Sequence, residues 1–323
     1  MTKLAVIIVS WNVRDLLRRS VQSVHASLAG SGIGYRVVVV DNDSADGTAE
    51  MLRAEHPEVL LLEPGRNLGF AGGNNLALRV LLGASQTSPG DSAPQYLLLL
   101  NPDTEVIGDA IPRLVRFLEQ HPDVAVVGPQ LRYPDGAVQS TRRRFPTPGV
   151  FFWESTPLEW RWPGNPWARR YRMQDRPDDA EQDVDWLVGA ALLVRRDAVL
   201  RAGLLDAGFS LYSEELEWQR RLRAAGGRIV YLPEAVIVHH EGRSSAQVPA
   251  RRLIAFHRSR LRYVRMVYGG RLAEVVRRFL LLAYGAEALI EGGKWLLGHR
   301  RDLRAERLGV YRALLAALTA EGR

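Results

Sequence analysis

Short apolar runs separated by longer amphipathic stretches make up the first 130 residues. Five runs dominated by Val and Leu are long enough for buried strands and too short for buried helices: Leu4 to Ser10, Arg36 to Asp41, Val59 to Leu62, Tyr96 to Leu100 and Val124 to Gly128. Apolar residues at helical spacing fill the intervals Val13 to Leu28, Ala45 to Ala54, Asn74 to Leu82 and Ala110 to Gln120. This alternation predicts an α/β fold with a mostly parallel sheet, whose ligands bind where the strands end.

The alternation stops after Pro129, and the stretch 141–185 is rich in Arg, Pro and aromatic residues without a regular period. Loops of this length are often lids or binding loops, but an ordinary surface excursion held down by its aromatic residues explains the pattern equally well. Regular structure is predicted again in three segments: a strand from Trp186 to Arg195, a helix from Glu214 to Ala225 and a strand from Arg228 to Leu232. In the first of these, Gly189 and Ala190 permit close approach of a ligand or of another backbone.

The two phosphate-binding loops most common in such sheets are absent from the sequence. Ser10-Trp11-Asn12 follows the first predicted strand in place of G-x-G-x-x-G, and no G-x-x-x-x-G-K-[ST] follows any predicted strand. Dinucleotide-dependent dehydrogenases and P-loop NTPases are therefore excluded. Recognition of a nucleotide would have to use side chains at the strand ends.

The composition excludes several kinds of catalytic and metal-binding site. The sequence has no Cys, which excludes thiolate nucleophiles, Cys-ligated metals and disulfides. The first apolar run spans only residues 4–9 with no small-residue cleavage site after it, so we interpret it as a buried strand rather than a signal peptide and expect a cytoplasmic protein.

The positive charge is concentrated in the C-terminal quarter. Residues 251–323 contain 16 Lys and Arg against 6 Asp and Glu, whereas residues 1–250 contain 27 against 30. A nearly neutral body with a basic tail favours an anionic membrane surface as partner over nucleic acid. Apolar residues of the tail follow helical spacing on one predicted stripe, which comprises Val275, Val276, Phe279, Leu282, Ala283, Ala286, Leu289, Ile290, Leu296 and Leu297.

The predicted tail helix has two possible environments. It could lie in a membrane interface, or it could pack on the rest of the chain or on a partner subunit. Its uninterrupted apolar run covers only residues 279–286, which is far shorter than the roughly 20 residues that a membrane span requires.

Polar residues follow three of the predicted strands. Asp41 could accept the N3–H of a pyrimidine base, although the residues after it also suit an ordinary strand-turn-helix connection. The segment 66–75 brings three Gly and three Asn to the start of a helix, where backbone N–H groups suit an anion such as diphosphate. Asp103 follows the most apolar run and either closes a β-turn or holds Mg²⁺ or Mn²⁺.

Acidic and His residues form two further candidates. Glu214, Glu215 and Glu217 open a predicted helix, where they either complement the helix dipole or include a general base. His239 and His240 follow Val238 at a strand end, where a neutral imidazole could complete a metal shell or be an ordinary loop residue.

The order of these segments resembles the family 2 inverting glycosyltransferases, in particular their bacterial rhamnosyltransferase-like branch. The resemblance covers about residues 3–245 and rests on six blocks in succession: VSWN, VVVVDNDSADGT, RNLGFAGGNN, LLLLNPD, GAALLVRRDAV and YSEELEWQRRLRAAGGRIVYLPEAVIVHHEG. It implies a GT-A fold, a Rossmann-like mostly parallel sheet flanked by helices, followed here by a C-terminal helical extension. It also implies direct displacement at an anomeric carbon with Mg²⁺ or Mn²⁺ as cofactor.

The resemblance assigns roles to particular residues. Asp41 matches the base-binding acid, and Asp103 matches the last acid of the D-x-D-like metal motif, in which Asn101 replaces the first acid. Glu215 falls on the position of the catalytic base, with Glu214 as the alternative because the family usually has Asp in this block. His239 falls on the position of a metal-ligating His, with His240 as the alternative.

The same resemblance implies two binding surfaces. The residues expected around the nucleotide sugar are Ser10, Asn12, Asp41, Asn42, Ser44, Asn67, Gly69, Asn74, Asn101 and Asp103. The residues expected around the acceptor are Trp153, Trp186, Gly189 and Ala190. We expect a catalytic domain over residues 1–250, divided into a nucleotide-sugar half (1–130) and an acceptor half (131–250), and a basic amphipathic tail over 251–323.

The function expected from these features is transfer of a sugar, with rhamnose from dTDP-rhamnose as the first choice, to a lipid-linked or polysaccharide acceptor at the inner face of the cell membrane. The C-terminal helices offer a surface for an oligomer. The alternative is a catalytically silent module that binds nucleotide sugar or recruits partners to a membrane. A sugar-nucleotide pyrophosphorylase is disfavoured because the basic Gly-rich loop after the first strand is missing.

Overall fold

The computed structural model describes residues 2–83, 93–209, 211–240 and 249–321. The chain divides into two compact units. Unit 1 comprises Met1–Arg143, Arg176–Ser210 and Glu214–Ser244, and unit 2 comprises Arg144–Asp175, Leu211–Ser213 and Ser245–Arg323. Residues 241–248, which include Glu241 and Gly242 of the last resembling block and precede the expected boundary at residue 250, lie outside the described residues.

The secondary structure alternates strands and helices up to residue 132 and ends in three long helices. In chain order the elements are β1 Leu4–Ser10, α1 Arg14–Leu28, β2 Tyr35–Asp41, α2 Thr48–Glu55, β3 Leu60–Leu62, α3 Gly69–Gly83, β4 Tyr96–Leu100, β5 Thr104–Val106, α4 Ala110–Gln120, β6 Val124–Arg132, β7 Arg142–Arg143, α5 Val150–Trp153, α6 Pro157–Arg161, α7 Pro166–Tyr171, β8 Gln182–Asp183, β9 Trp186–Leu187, β10 Ala191–Arg195, α8 Arg196–Ala202, α9 Glu214–Ala224, β11 Arg228–His239, α10 Pro249–Tyr268, α11 Gly270–Leu296 and α12 Arg301–Ala320.

Unit 1 is built on one sheet with the strand order β3-β2-β1-β4-β10-β6-β11-β5, and β8 pairs with β11. Strands β3, β2, β1 and β4 are parallel to one another. Strand β10 runs antiparallel between β4 and β6, whereas β11 is parallel to β6. The mostly parallel sheet expected from the alternation is therefore present, with β10, β5 and β8 in the opposite direction.

The central strands are apolar throughout because helices and loops bury both faces of the sheet. Residues of β1 and β4 are almost completely inaccessible to solvent, and α1 and α4 bury their apolar stripes in the same core. The bounds of β1, β4 and α4 agree with those predicted from the sequence.

The second half of unit 1 differs from expectation in two elements. The stretch Trp186 to Arg195 is two strands, β9 and β10, separated by a turn that contains Gly189 and Ala190. Strand β11 continues past the predicted end at Leu232 to His239, with an irregularity in its pairing between Leu232 and Val236.

Residues 144–175 of the aromatic excursion belong together with the C-terminal tail in unit 2. This segment forms α5, α6 and α7, and its aromatic rings pack on the tail helices. The ring centroids of Phe151 and Tyr263 are 6.3 Å apart, and Phe152 lies edge-on to Phe279 with ring centroids 5.2 Å apart. Arg161 of α6 is paired with Glu287 of α11 at 2.5 Å. The tail predicted as a separate segment thus shares a core with residues 144–175.

Helix α11 presents two faces rather than the one predicted stripe. The buried face consists of Ala273, Val276, Leu280, Tyr284, Glu287 and Glu291. Of the predicted stripe, Leu282, Leu289, Leu296 and Leu297 are instead between 71% and 87% exposed. The prediction of a single apolar stripe was wrong because a buried Tyr and two buried carboxylates, held by Arg161 and Arg304, complete the packed face.

None of the helices in the described part of the chain combines the length and the hydropathy needed to cross a bilayer.

Candidate active site

The carboxyl ends of β1 and β2 lie side by side and present the first two candidate residues. Ser10 pairs in register with Asp41, and the backbone N–H of Asn42 donates to the carbonyl of Ser10 at 2.8 Å. Asp41 is buried, and this burial raises the pKa of its carboxyl, while hydrogen bonds from Ser44 oppose the rise. The sheet therefore holds a carboxylate at the position where a ligand of a parallel sheet binds.

Asn12 and Ser44 tie together the two loops that follow these strands. The backbone N–H of Asn12 donates to Oγ of Ser44 at 2.9 Å, and the N–H of Ala45 donates to Oδ1 of Asn12 at 2.8 Å. Asn12 and Asp43 have φ values of 51° and 66°, in the left-handed region that Asn and Asp tolerate better than most residues. Both loops thus have a defined shape.

Asn42 and Asn67 shape the entrance of α3. Nδ2 of Asn42 donates to the carbonyl of Gly69 at 3.2 Å, and Oδ1 of Asn42 accepts a hydrogen bond from the N–H of Leu68 at 3.3 Å. The N–H of Gly69, whose φ is 70°, donates to Oδ1 of Asn67 at 2.8 Å. These contacts bring the amino end of α3 to the same edge of the sheet as Asp41.

Helix α3 packs tightly against β1 and contains two buried Asn, of which Asn75 anchors it to a distant segment. A Cβ added to Gly73 would lie 2.7 Å from Cγ1 of Val9, so only Gly permits this approach. Nδ2 of Asn74 donates to the carbonyl of Phe70 at 2.9 Å. Asn75 forms two hydrogen bonds with the backbone of Leu205, at 2.8 and 3.0 Å; its partner is 130 residues away, so local sequence carried no signal for it.

The turn between β9 and β10 meets the end of β4. The N–H of Asn101 donates to the carbonyl of Ala190 at 2.9 Å, and Leu100 pairs with Ala191. Because β10 is antiparallel to β4, the start of β10 lies at the edge where β4 ends. Gly189 and Ala190 are therefore next to the segment that leads to Asp103.

Glu215 of α9 contacts this turn directly. A Cβ added to Gly189 would lie 3.2 Å from both Cβ and Cγ of Glu215 and 3.6 Å from its Cδ. Burial raises the pKa of the Glu215 carboxyl, and hydrogen bonds from the backbone of Gly189 and Leu216 oppose the rise, as does the charge of Arg143. A buried carboxyl with a raised pKa, at the edge of the sheet where the parallel strands end, has the properties of a proton acceptor.

Gln219 fixes the start of α9 against β9. The N–H of Leu187 donates to its Oε1 at 2.9 Å, and its Nε2 donates to the carbonyls of Leu187 and Glu215 at 2.7 and 3.1 Å. Glu217 is paired with Arg221 at 2.7 Å, and Glu214 is buried. Sequence reasoning did not identify Gln219, since a Gln inside a helix carries no distinguishing pattern.

Asp103 and His239 face each other across the end of the sheet. Nε2 of His239 lies 3.4 Å from Oδ1 of Asp103, and both side chains are buried. Nε2 of Gln139 donates to the carbonyl of His239 at 2.7 Å, so Oε1 of Gln139, 2.9 Å from Nδ1 of His239, accepts the Nδ1 proton.

This tautomer leaves the lone pair at Nε2 of His239 opposite a carboxylate oxygen. Two acceptors in this position require a proton or a cation between them, and one carboxylate with one imidazole is a donor set that divalent metals accept. The residues present therefore fit the cation expected from the resemblance. Gln139, which holds the imidazole in place, was not identified from the sequence.

His240 has a different environment. Its Nε2 lies 2.8 Å from Oε1 of Glu105, and the same oxygen accepts a hydrogen bond from Nε of Arg19 at 2.9 Å. Its backbone N–H donates to the carbonyl of Asp103 at 2.9 Å. Of the two His, it is His239 whose ring faces Asp103.

The two Trp assigned to the acceptor lie in different units. Trp186 is buried in unit 1 with the guanidinium of Arg143 6.0 Å from its ring. Trp153 belongs to unit 2, where its ring stacks on Trp167 at 5.3 Å and meets Trp162 edge-on. Their roles toward an acceptor stay predictions.

The expected donor-site residues, together with Gly189, Ala190, Glu215, Asp103 and His239, all belong to unit 1. Asp41, Asn42, Asn101 and Glu215 follow or adjoin strand ends on one edge of the sheet. Residues 5–199 match the family model described as glycosyl transferase family 2. The chain belongs to glycosyl transferase family 2.

Curated relatives of this family 2 glycosyltransferase include rhamnosyltransferases. The chain is 34% identical over 226 residues to an N-acetylglucosaminyl-diphospho-decaprenol L-rhamnosyltransferase of Mycobacterium tuberculosis, covering 69% of this chain and 72% of that protein. It is 25% identical over 243 residues to the rhamnosyltransferase WbbL of Escherichia coli, covering 74% of this chain and 85% of the relative. The glycosyltransferase belongs to the rhamnosyltransferase-like branch.

Solved structures confirm the GT-A fold. A mannosyltransferase of Pyrobaculum calidifontis, solved with GDP-Man and Mn²⁺, matches 98% of this chain and 86% of its own with a TM-score of 0.51 at 16% identity. Residues 1–349 of Staphylococcus aureus TarS match all of this chain and 92% of their own with a TM-score of 0.52 at 14% identity.

Proposed function

We propose that this glycosyltransferase transfers a sugar, with inversion, from a nucleotide-sugar donor to a lipid-linked or polysaccharide acceptor, and that rhamnose from dTDP-rhamnose is the donor of first choice. The observation that carries the proposal is the placement of two buried groups near one edge of the sheet: Glu215 against Gly189 and Asp103 against His239. A proton acceptor and a cation-binding pair are the two elements that direct displacement of a nucleoside diphosphate requires.

The donor nucleotide binds across the ends of β1 and β2. Asp41 accepts the N3–H of the pyrimidine, and the loops held by Asn12 and Ser44 form the walls of its site. The amino end of α3, held near Asp41 by Asn42, directs backbone N–H groups toward the negatively charged diphosphate.

Asp103 and His239 hold Mg²⁺ or Mn²⁺. Asp103 contributes one carboxylate, and Gln139 holds the Nδ1 proton of His239, so that the neutral imidazole carries its lone pair at Nε2. When bound, the cation neutralises the charge that develops on the leaving diphosphate. Asn101 replaces a first acid of the metal motif, so this pair carries the protein's share of the coordination.

Glu215 is the general base, with Glu214 as the alternative. To accept the acceptor's hydroxyl proton the Glu215 carboxyl must be ionised, and its raised pKa makes it a stronger base than an exposed Glu. Because Gln219 fixes the start of α9 and Gly189 contacts Cβ and Cγ, the carboxyl is held in one position before the substrates bind.

The acceptor binds beside Gly189 and Ala190, with Trp186 supporting the turn. The Mycobacterium relative is named for a diphospho-decaprenol acceptor, which supports a polyprenyl-diphosphate lipid as acceptor. Such a lipid resides in a membrane, so the protein must reach a membrane surface at the cytoplasmic face.

The exposed face of α11 is suited to that contact. Val275, Leu282, Leu289 and Leu296 follow one another at intervals of seven residues and are each more than half exposed. Exposed Arg residues lie one turn before Val275 and Leu282, at positions 271 and 278. An apolar stripe flanked by cations binds an anionic membrane interface.

Replacing Leu282 and Leu289 together by Asp should reduce sedimentation with vesicles containing anionic lipid and activity on a lipid-linked acceptor. Leu200 on α8 is 56% exposed, so Leu200→Asp is a matched control that should bind vesicles like the wild type. Vesicle binding that is unchanged in the double variant and insensitive to salt would assign the stripe to contact with protein, such as an oligomer through the C-terminal helices.

The proposed roles divide the chain into three parts. The donor-binding half is 1–130, the acceptor half is 131–250, and the basic tail 251–323 serves the membrane, although part of the acceptor half shares a core with the tail in unit 2. The alternative of a catalytically silent binding module is less favoured, because Asp103, His239 and Glu215 would then have no reason to be buried as ionisable groups near one edge.

The test is release of nucleoside diphosphate from a panel of nucleotide sugars, with Mg²⁺ or Mn²⁺, in the presence and absence of a polyprenyl-diphosphate-linked sugar. We expect acceptor-dependent release with one donor, dTDP-rhamnose first, and an inverted anomeric configuration in the product. Binding of nucleotide sugar without turnover under all these conditions would instead support the silent module.

A further inference from the structure

A second group of metal-ligating side chains lies at the opposite edge of the sheet from the candidate active site. His25 is in the last turn of α1, His56 directly follows α2, and Glu58 lies two residues before β3 begins. The hydroxyl of Tyr35, the first residue of β2, contacts His25. These positions are at the amino ends of the parallel strands, and the three ligands come from three separate segments of unit 1.

The ligand atoms converge at coordination distances. Oε1 of Glu58 lies 3.0 Å from Nε2 of His25 and 3.3 Å from Nδ1 of His56. One ligand atom from each residue lies within 4.8 Å of the others. Bonds of 2.0–2.1 Å in a tetrahedral zinc site separate neighbouring ligand atoms by about 3.3 Å, so the two contacts, of which that of His56 is also a hydrogen bond, are close to the spacing of atoms that share an ion.

The orientation of His25 supports the same arrangement. Nδ1 of His25 lies 2.7 Å from the hydroxyl of Tyr35, and in the tautomer in which Nδ1 donates to that hydroxyl the lone pair lies at Nε2. Nε2 is buried, and within the described residues it has no hydrogen-bond partner although the Glu58 oxygen is only 3.0 Å away. A nitrogen this close to a carboxylate without hydrogen-bond geometry is placed as a second ligand.

The surroundings of the group also suit a bound cation. His56 is buried, and its imidazole lies nearly parallel to that of His25, with ring centroids 6.0 Å apart. Glu58 is half exposed, which leaves a side open for entry of the ion and for a water ligand. Tyr35 acts as the outer partner that fixes a ligating imidazole.

We propose that His25, His56 and Glu58 form a structural site for a divalent transition ion, Zn²⁺ first, that ties the end of α1 to the connection between α2 and β3. Two imidazoles and one carboxylate select Zn²⁺ and similar ions over Mg²⁺ and Mn²⁺. The site is separate from Asp103 and His239, and the proposal does not depend on the chemistry at that edge.

The experiment uses the full chain stripped of metal with EDTA and titrated with Zn²⁺ by calorimetry, with thermal unfolding measured in parallel. We expect one high-affinity Zn²⁺ per chain and a higher unfolding temperature with Zn²⁺, since an ion that binds only the folded state stabilises it. His25→Gln, His56→Gln and Glu58→Gln should each remove that binding event and the shift, and Glu58→Gln alters a half-exposed residue, so its fold should persist.

Three comparisons make the result specific. His121→Gln changes a partly buried His outside the group and should keep Zn²⁺ binding, as should Asp103→Asn at the other edge. Tyr35→Phe should weaken Zn²⁺ binding by about 10- to 100-fold, the usual effect of losing an outer partner. Absence of high-affinity Zn²⁺ binding in the wild type, or equal binding and stabilisation in all three ligand variants, would overturn the proposal.

Discussion

Replacing Gly189 by Ala tests the position of the proposed base without removing any charged group. Gly189 has no positive φ, so its backbone accepts Ala. The new Cβ would lie 3.2 Å from Cβ and Cγ of Glu215, whereas ordinary contacts begin at 3.4 Å. Glu215 must therefore move by a few tenths of an ångström.

The size of the effect follows from that displacement. A misplacement of 1 Å costs about 100-fold in rate, so a shift of about 0.2 to 0.4 Å corresponds to roughly a 3- to 6-fold loss of kcat. In the wild type, the hydrogen bond from the Gly189 backbone lowers the pKa of Glu215. The displacement weakens this hydrogen bond and so raises the pKa of Glu215. The rising limb of kcat against pH should therefore move to higher pH.

The assay is nucleoside diphosphate release with saturating donor and acceptor, measured across pH. Gly83→Ala is the matched control, because Gly83 is also in unit 1 and an added Cβ there would meet no atom of the described residues within 4 Å. A folded Gly189→Ala enzyme with wild-type kcat and an unshifted pH profile would refute the reasoning that Glu215 is held against Gly189 for catalysis.

Two further predictions concern other buried groups. His239→Gln should raise the Mn²⁺ concentration needed for half-maximal activity by at least 10-fold, while His240→Gln, which alters a ring bound to Glu105, should leave it nearly unchanged; equal effects would contradict the choice of His239. Burial, together with the charge of Arg260, lowers the pKa of His257 well below 6.5. As the pH decreases below about 6.5, His257 becomes protonated in the unfolded state but not in the folded state, so the free energy of unfolding should fall. In urea unfolding, His257→Gln should make this free energy depend less on pH. An equally steep pH dependence in the variant would exclude His257 as its source.

Sequence periodicity predicted the elements whose burial is uniform. The bounds of β1 and β4 were correct because both strands are apolar throughout and end at polar turns. The same reasoning did not separate β9 from β10, since Gly189 and Ala190 continue the apolar run even though both are weak strand formers. A turn made of small residues resembles a strand in sequence.

Contacts between distant segments lay outside the reach of sequence patterns. Gln139 orients His239 from 100 residues away, and His25 meets His56 and Glu58 although a strand and a helix separate them in the chain. The tail helix α11 was correctly predicted as a helix, but its buried face includes Glu287 and Glu291, whose partners are Arg side chains on other helices. Hydrophobic spacing alone assigned that face wrongly.

The most direct test of the central claim is acceptor-dependent turnover of Glu215→Gln measured beside its affinity for the donor. Glu→Gln keeps the shape of the side chain and removes its ability to accept a proton, and loss of a general base typically costs about 10²- to 10⁴-fold in rate. We predict a loss in that range with an unchanged donor Kd, and a smaller loss in Glu214→Gln. Wild-type turnover in Glu215→Gln, or a greater loss in Glu214→Gln, would contradict the assignment of Glu215 as the base.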